Sequence, residues 1–417
     1  LAYNNSGRNL LVYYPWRGGV KTTGPSPTPV TPTPTPSGAI SPTPTPTPSS
    51  TITSTPTPSP TPTPSPFVAS VSISPTGTTQ YENVILSGSS NIGSPTYIWS
   101  LTDFYDVSGN TISSYTGQTL QEGYFTSSGS SNVLLTVTGD NPLYPGNPVT
   151  GTSSSFNVSS WVVSDLTESY VWVDFADSST MTFRTGTNYI EQIDNKAANQ
   201  HITNFNQTTA AYQPEYSATT ISAGMSAATF NSQALFSDAN LTGITLHIWG
   251  VLRDKGDTTT GQRMFTGIRP NNTSATRWGF GVANQADPNP GDFKFENQWN
   301  SSTRLRTLSP PNYSGVSTTF DVWFDGASTA TNDGQVPSGI TINDVNYSWS
   351  SYSAPSNYTP PYPDNQYPIG IGCWNEYYIV QESFSGDIGE IIYFDSEITG
   401  TDYDKVSRYL KHKWNTY

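Results

Sequence analysis

Between Phe67 and Ser160, apolar residues recur at every second position in short runs (VASVSIS, NVILSG, TYIWSL, NVLLTVTG and SSFNVSS), separated by clusters of Gly, Asn, Asp and Pro. Period-two alternation with β-branched residues, interrupted by turn residues about every ten positions, predicts a small antiparallel sandwich over residues 67–160. Residues 161–417 form the largest block. Near its end GEIIYF reads as a buried strand and DSEIT as a turn. The period then changes. Val406, Tyr409, Leu410 and Lys413 fall at helical spacing, with Thr401 as the cap and Asp402 and Asp404 in an acidic first turn. This predicts a short helix to Trp414 that lays one face on a sheet and leaves Lys405, Arg408 and Lys411 in water.

Two segments at the start carry neither period. Residues 25–66 contain no aromatic and no charged residue, and proline stands at almost every second position. Such a chain buries too little to offset its ordering entropy and lacks the donors for a helix or ladder, so an extended stalk is expected. At about 3.1 Å per residue in polyproline II geometry it would reach roughly 130 Å. No basic residue flanks its proline motifs, so a passive spacer is the simpler reading than an SH3-type ligand. Ahead of it, NLLVYYPWRGG at residues 9–19 places Leu10, Leu11, Val12, Tyr13, Tyr14 and Trp16 beside Arg8 and Arg17, with no domain of its own to bury them. An unpartnered apolar run of this kind is expected to dock on another protein, by strand addition or in a groove. Residues 1–24 are therefore read as an assembly anchor.

Charge narrows the partners. A net charge of −14 and a pI near 4.5 disfavour nucleic acid and anionic membranes, and no run of eighteen or more apolar residues offers a membrane span. One cysteine, Cys373, excludes an intrachain disulfide. Stability must come from packing or from assembly with other copies, and a homo-oligomer is expected, although no heptad segment specifies its order. The sequence starts at Leu1 without a basic-then-apolar leader, which leaves a processed leader open.

Two resemblances follow from particular residues. Trp99 in YIWSL, with VLLTVTG some thirty-five residues later, resembles the core Trp and opposing strand of an immunoglobulin-like or polycystic-kidney-disease-repeat module lacking the antibody cysteine pair. In the larger block, Trp172, Asp174 and Asp177 are followed by Ile190, Ile193 and Asp194, with Lys196 one place late. The end supplies Ile388, Gly389, Glu390, Ile391, Phe394 and Asp395, then His412, Lys413 and Trp414. Together these resemble the opening and closing motifs of concanavalin A-like, laminin-G-type jelly-roll domains. The resemblance implies an all-β fold: a small Ig-like sandwich at 67–160, then a jelly-roll with a short terminal helix at 161–417. It also implies that calcium at a sandwich rim is compatible with the chain, with RDKGD and TNDGQ as oxygen-rich loops but no assignable ligand, and otherwise no cofactor.

Catalytic chemistry is hard to place. The Glu-x-Asp-x-x-Glu pairing of jelly-roll glucanases is missing; Glu376 with Glu382 and Asp387 with Glu390 have other spacings, and Glu390 is more simply a structural partner in its strand. The three histidines, His201, His247 and His412, form no His-Glu-x-x-His pair, and no Gly-x-Ser-x-Gly elbow occurs. IGIGCWN lacks the third glycine of a dinucleotide fingerprint and reads as a glycine-rich strand with Cys373 packed as an apolar thiol. No enzymatic activity is expected. The best binding candidate is aromatic: Trp349, Tyr352, Tyr358, Tyr362 and Tyr367 lie with Tyr347 in a stretch rich in Ser, Pro and Asn, where flat rings could meet sugar faces or a neighbouring subunit. Anchor, stalk, sandwich and jelly-roll in this order are similar to head fibres, capsid decoration proteins and other fibres of bacterial viruses. That layout implies a virion structural protein whose N-terminus holds a capsid or other assembly protein and whose outer domain adheres to host glycans. A bacterial cell-surface adhesin or extracellular filament subunit is the alternative, and a secreted glycan-active enzyme the second.

Overall fold

The computed structural model describes residues 69–416, apart from 92, 132, 141–148, 153–155, 219–220, 241–245, 256–261, 268–276, 283–292, 300, 308–314, 325–339, 348, 352–367, 377–378 and 382. All of the described residues belong to one compact unit, Ser65–Tyr417. The anchor and stalk segments lie outside them. The fold is all-β, closed by the helix α1, Gly400–Trp414.

Nearest the start, eight strands make two facing antiparallel sheets. One orders Ala69–Ser74, Val84–Ser90, Thr119–Phe125 and Phe104–Asp106; the other orders Ser114–Thr116, Gly93–Ser100, Leu134–Asp140 and Val149–Thr152. Alternation is strict where it matters. Val84 and Leu86 are buried while Ile85 is exposed, and Tyr97 and Trp99 are buried while Ile98 is exposed. Leu86, Trp99, Phe104, Phe125, Leu135 and Val137 share the core, and Trp99 Nε1 donates to the Gly117 carbonyl at 2.7 Å, which satisfies the one polar atom of that side chain.

The rest forms a larger pair of sheets. In the eight-stranded sheet, Ser385–Phe394 lies centrally: its first half pairs with Ser226–Asn231, its second half with Ser169–Asp174, and its other edge with Leu246–Asp254. The ten-stranded sheet runs from Met181–Phe183 through Ile190–Asp194, Asn204–Asn206, Leu235–Asn240 and Pro368–Ile371 to Trp349–Ser351 at its far edge. Val171, Val173, Ile248, Ile391 and Tyr393 from the first sheet meet Ile193, Phe205, Leu235, Phe265 and Ile371 from the second.

A second core covers the outer face of the eight-stranded sheet. The residues that alternate with the inner set, Trp172, Trp249, Val251, Ile392 and Phe394, pack against Val406, Leu410 and Trp414 of α1. Tyr81 and Tyr124 of the small double sheet, together with Trp161, join the same cluster. Tyr81 holds φ +64°, a conformation a bulky residue rarely adopts. Its ring lies 6.0 Å from Trp161 and 5.9 Å from Tyr409, edge-on to both. That packing is what stabilises the strained backbone.

This contact corrects two expectations for α1. Arg408 and Lys411 are buried, not in water. Arg408 Nη1 donates to the Tyr81 carbonyl at 2.9 Å and its guanidinium stacks 4.9 Å from the Tyr124 ring; Lys411 is paired with Asp344. Lys405 is also largely covered, with its side chain 12% exposed. Arg408 is covered because the small double sheet packs on that face of the helix, whereas Lys411 reaches the hairpin at Asp344 of the eight-stranded sheet. The cap moves as well: Thr399 is the N-cap and the helix starts at Gly400, ahead of Thr401.

Because one core is shared, the described unit should unfold in a single calorimetric transition, and Tyr81→Ala combined with Trp161→Ala should resolve a separate, earlier transition for the small double sheet. Each truncation should cost about 3–5 kcal/mol of docking, the range for large aromatic side chains. His412 adds a pH dependence. Burial lowers its pKa, against a smaller opposing pull from Asp103, and its ring lies 5.1 Å from Tyr105 across the junction. The unfolded chain takes up the proton first, so this contribution is full above about pH 6.5 and declines as the pH falls below it. Thermal melts from pH 8 to 5 should show that loss, and His412→Gln should remove it.

Candidate functional site

Two polar constellations stand out, one buried and one exposed. The buried one gathers the residues of the opening and closing motifs. Between Val251 and Leu252 the pairing register with Ser385–Phe394 shifts past Gly389, so Ile388 faces the inner core while Glu390 faces outward beneath α1. A Cβ on Gly389 would lie 2.7 Å from the Trp414 ring, so only glycine lets the helix come this close. Asp174 pairs directly opposite Glu390. Two like charges in that register repel and need a cation between them.

Lys413 supplies it. Its Nζ donates to Asp174 Oδ1 at 2.6 Å and to Glu390 Oε2 at 2.8 Å. Glu390, with no exposed surface, also accepts from Trp172 Nε1 at 2.6 Å, the Tyr409 hydroxyl at 2.9 Å and Trp414 Nε1 at 2.9 Å. Lys196 Nζ bridges Asp174 Oδ2 and Asp177 Oδ2, each at 2.9 Å, and lies over the Trp172 ring at 4.4 Å. Asn195 fixes this corner, accepting from Trp172 N at 2.7 Å and donating to the Tyr170 and Ile202 carbonyls.

These contacts shift the titrations. The hydrogen bonds from Ser179 and Lys196 lower Asp177 to about 2. Burial alone would lower Lys196, but Asp174 and Asp177 outweigh it and raise its pKa. Burial, then Glu390 and Asp174, push the Tyr409 phenol well up, and burial followed by Tyr124 and Glu390 brings Tyr81 up to about 12. Asp387 is separate from this network; it accepts from Thr229 at 2.7 Å and lies 3.7 Å from Lys255.

The exposed constellation lies on the outer face of the ten-stranded sheet. Ile193, Phe205 and Leu235 point inward there; Gln192, Asp194, Asn204 and Asn206 alternate with the first two, whereas Ala234 and Phe236, which flank Leu235, are buried and apolar, and the strip resumes at Asp238. Gln192 Nε2 donates to Asp194 Oδ1 at 2.9 Å, Asn206 Nδ2 to Asn204 Oδ1 at 3.0 Å, and Asn204 Nδ2 to Asp238 Oδ2 at 3.2 Å. Thr203 N donates to Asp238 Oδ1 at 2.9 Å. Amide donors and carboxylate acceptors thus share one flat strip in which each still has unused hydrogen-bonding capacity. Asn240, two residues beyond Asp238, pairs with Pro368, the first residue of the strand Pro368–Ile371.

Of the residues singled out from sequence, Tyr352, Tyr358, Tyr362 and Tyr367 lie outside the described residues, as do Leu10, Leu11, Val12, Tyr13, Tyr14, Trp16 and Arg17. The backbone of Trp349 pairs with Thr307 at the far edge of the ten-stranded sheet, and Tyr347 is partly buried against the main core. Cys373 is buried beside Ala234 and Phe236, and burial raises its thiol pKa. Among the described residues, no group of three or more His, Cys, Asp or Glu side chains is placed to hold a metal ion. Sequence reasoning missed Asn195, Tyr81 and the Asn204, Asn206 and Asp238 strip. The polar-apolar alternation of NFN was the available signal for part of the strip; LFSDAN does not alternate.

No protein-family model matches the chain, and no curated protein matches it. Among solved structures it is similar to the Ruminococcus gnavus IT-sialidase CBM40, with a TM-score of 0.30, 11% identity, and coverage of 43% of this chain and 95% of that one. The same module bound to alpha2,3 sialyllactose gives a TM-score of 0.29 and 12% identity over 39% of this chain and 82% of that one. Bound to alpha2,6 sialyllactose it gives 0.28 and 12% over 40% and 83%.

Removing one partner from a buried ion cluster leaves an unpaired charge, so Lys413→Ala should lower stability by about 3–5 kcal/mol in urea unfolding. The pH limits of the cluster have opposite causes. Asp177 is depressed, so its contribution is present above about pH 3.8 and is lost as the pH falls through about 2. Tyr81 is raised, so its contribution is full below about pH 10 and is lost as the pH rises through about 12. Stability measured across both limits should fall at each end, and Asp177→Asn should flatten the acid side.

Proposed function

We propose that this chain is a non-enzymatic display protein that adheres to glycans, attached by residues 1–24 and standing on a virion surface as a capsid decoration or head-fibre protein. The observation that carries the glycan reading is the strip of Gln192, Asp194, Asn204, Asn206 and Asp238 on a rigid sheet face. Vicinal sugar hydroxyls need such paired donors and acceptors at fixed spacing, held so that binding costs little ordering. The Tyr-rich stretch, which precedes Pro368 in sequence, supports the same reading by its composition, because aromatic rings add apolar contact to the sugar faces. The buried carboxylates support a non-catalytic role: Glu390 and Asp174 are engaged by lysines, indoles and a phenol beneath α1. The Pro/Thr segment suits a spacer that holds the β unit away from its anchorage.

A glycan array with the whole chain tests the binding. Asn204→Ala with Asp238→Ala should weaken binding by about tenfold for each lost hydrogen bond, and Trp349→Ala with Tyr362→Ala should weaken it in the same direction. Array binding unchanged in the first pair would remove the strip from the site. Deleting residues 1–24 should abolish incorporation into virions while leaving array binding intact; normal incorporation would exclude the anchor.

A further inference from the structure

We propose that Lys413 and Asp174 become joined by an intramolecular isopeptide bond, formed autocatalytically with Glu390 as the proton shuttle. The three groups a condensation needs are already assembled. The nucleophile, Lys413 Nζ, lies 2.6 Å from Asp174 Oδ1, the oxygen to be expelled. The acid-base group, Glu390 Oε2, lies 2.8 Å from the same nitrogen. A stabiliser for the developing oxyanion, the Lys196 ammonium, lies 2.9 Å from Asp174 Oδ2. Trp172, Tyr409 and Trp414 wall this group and fix Glu390 through their N–H and O–H donors, as a pre-organised site requires.

The step balances without a co-reactant. Glu390 takes a proton from the Lys413 ammonium, and the freed lone pair attacks Asp174 Cγ. As the bond forms Glu390 delivers that proton to Oδ1, so the tetrahedral intermediate carries its negative charge on Oδ2, facing Lys196, and a positive charge on the nitrogen. Oδ1 then leaves as water with a second proton from the same nitrogen. One N–C bond forms, one C–O bond breaks, and Glu390 ends as it began. Three carboxylates and two ammonium groups become two carboxylates and one ammonium, which removes one costly buried ion pair. The bond closes a loop of 239 residues, from the opening strand of the large double sheet to the terminal helix. It would do for this chain what disulfides do elsewhere, in a sequence whose single cysteine cannot form one internally.

Mass spectrometry of the denatured full-length chain decides it. The expected mass is below the sequence mass by one water, and a tryptic digest should contain a branched peptide joining the segments that carry Asp174 and Lys413. The sequence mass with both peptides unbranched overturns the proposal, and so does loss of one water without a branch. Asp174→Asn should lose one ammonia and form the same branch. Glu390→Gln should slow branching by at least about 100-fold, the usual size of acid-base assistance; unchanged branching would remove Glu390 from the chemistry. Lys413→Arg keeps the charge and the fold but should give no branch, which separates the covalent bond from simple charge pairing.

Discussion

A carboxylate removed from water must have its lone pairs satisfied, and Glu390 has no exposed surface at all. That constraint organises the unit around it. Two indoles, a phenol and an ammonium have to converge on one point, and three of those four groups come from α1. The helix is thereby held in one position and rotation on the sheet. Gly389 then has to lack a side chain, and Asp174 needs Lys413 between itself and Glu390. The Glu390 contacts to α1 are local in sequence, but those of Trp172 with Glu390 and of Asp174 with Lys413 join residues more than 200 positions apart, so they form only when the opening strand has docked on the closing strand and its helix.

The outward consequence is an unequal pair of faces. On one side, α1 and the small double sheet cover the eight-stranded sheet with a second apolar core. On the other, the ten-stranded sheet keeps the polar strip centred on Asn204 and Asp238. A binding surface gains from this arrangement because the sheet beneath it is braced by a packed core, so little order has to be created on contact. Function is then a matter of which side chains alternate outward on a fixed scaffold, which is why an all-β fold alone does not define it.

Much of this was legible residue by residue. Trp172, Asp174, Lys196, Gly389, Glu390, Lys413 and Trp414 stand out as a motif in the chain, and the structure shows why: each contacts another member of the set. The helix was legible from the spacing of Val406, Tyr409, Leu410 and Lys413. The burial of Arg408 was not, because helical periodicity reports one apolar face and carries no information about a second body docking on the polar one. Tyr81 was hidden for a related reason: its left-handed backbone is sustained by tertiary packing, which a local pattern does not encode. Thr399 stands at the N-cap without a side-chain cap bond, and the chain enters the helix through Gly400 at φ +60°, a left-handed turn that glycine permits and that a search for Ser, Thr or Asp caps does not detect. The strip at Asn204, Asn206 and Asp238 was obscured by strands of three to six residues, too short for their alternation to stand out from loops equally rich in Asn and Ser.

The most direct test of the central role of Glu390 is hydrogen exchange of the indole N–H groups, read by NMR on tryptophan-labelled protein. If Glu390 ties the helix to the opening strand, the Trp172 and Trp414 indole protons exchange only with global unfolding, together with the backbone amides of Ser169–Asp174. Exchange of either indole orders of magnitude faster than those amides would mean that the helix opens independently, and the account of a single braced unit would be contradicted.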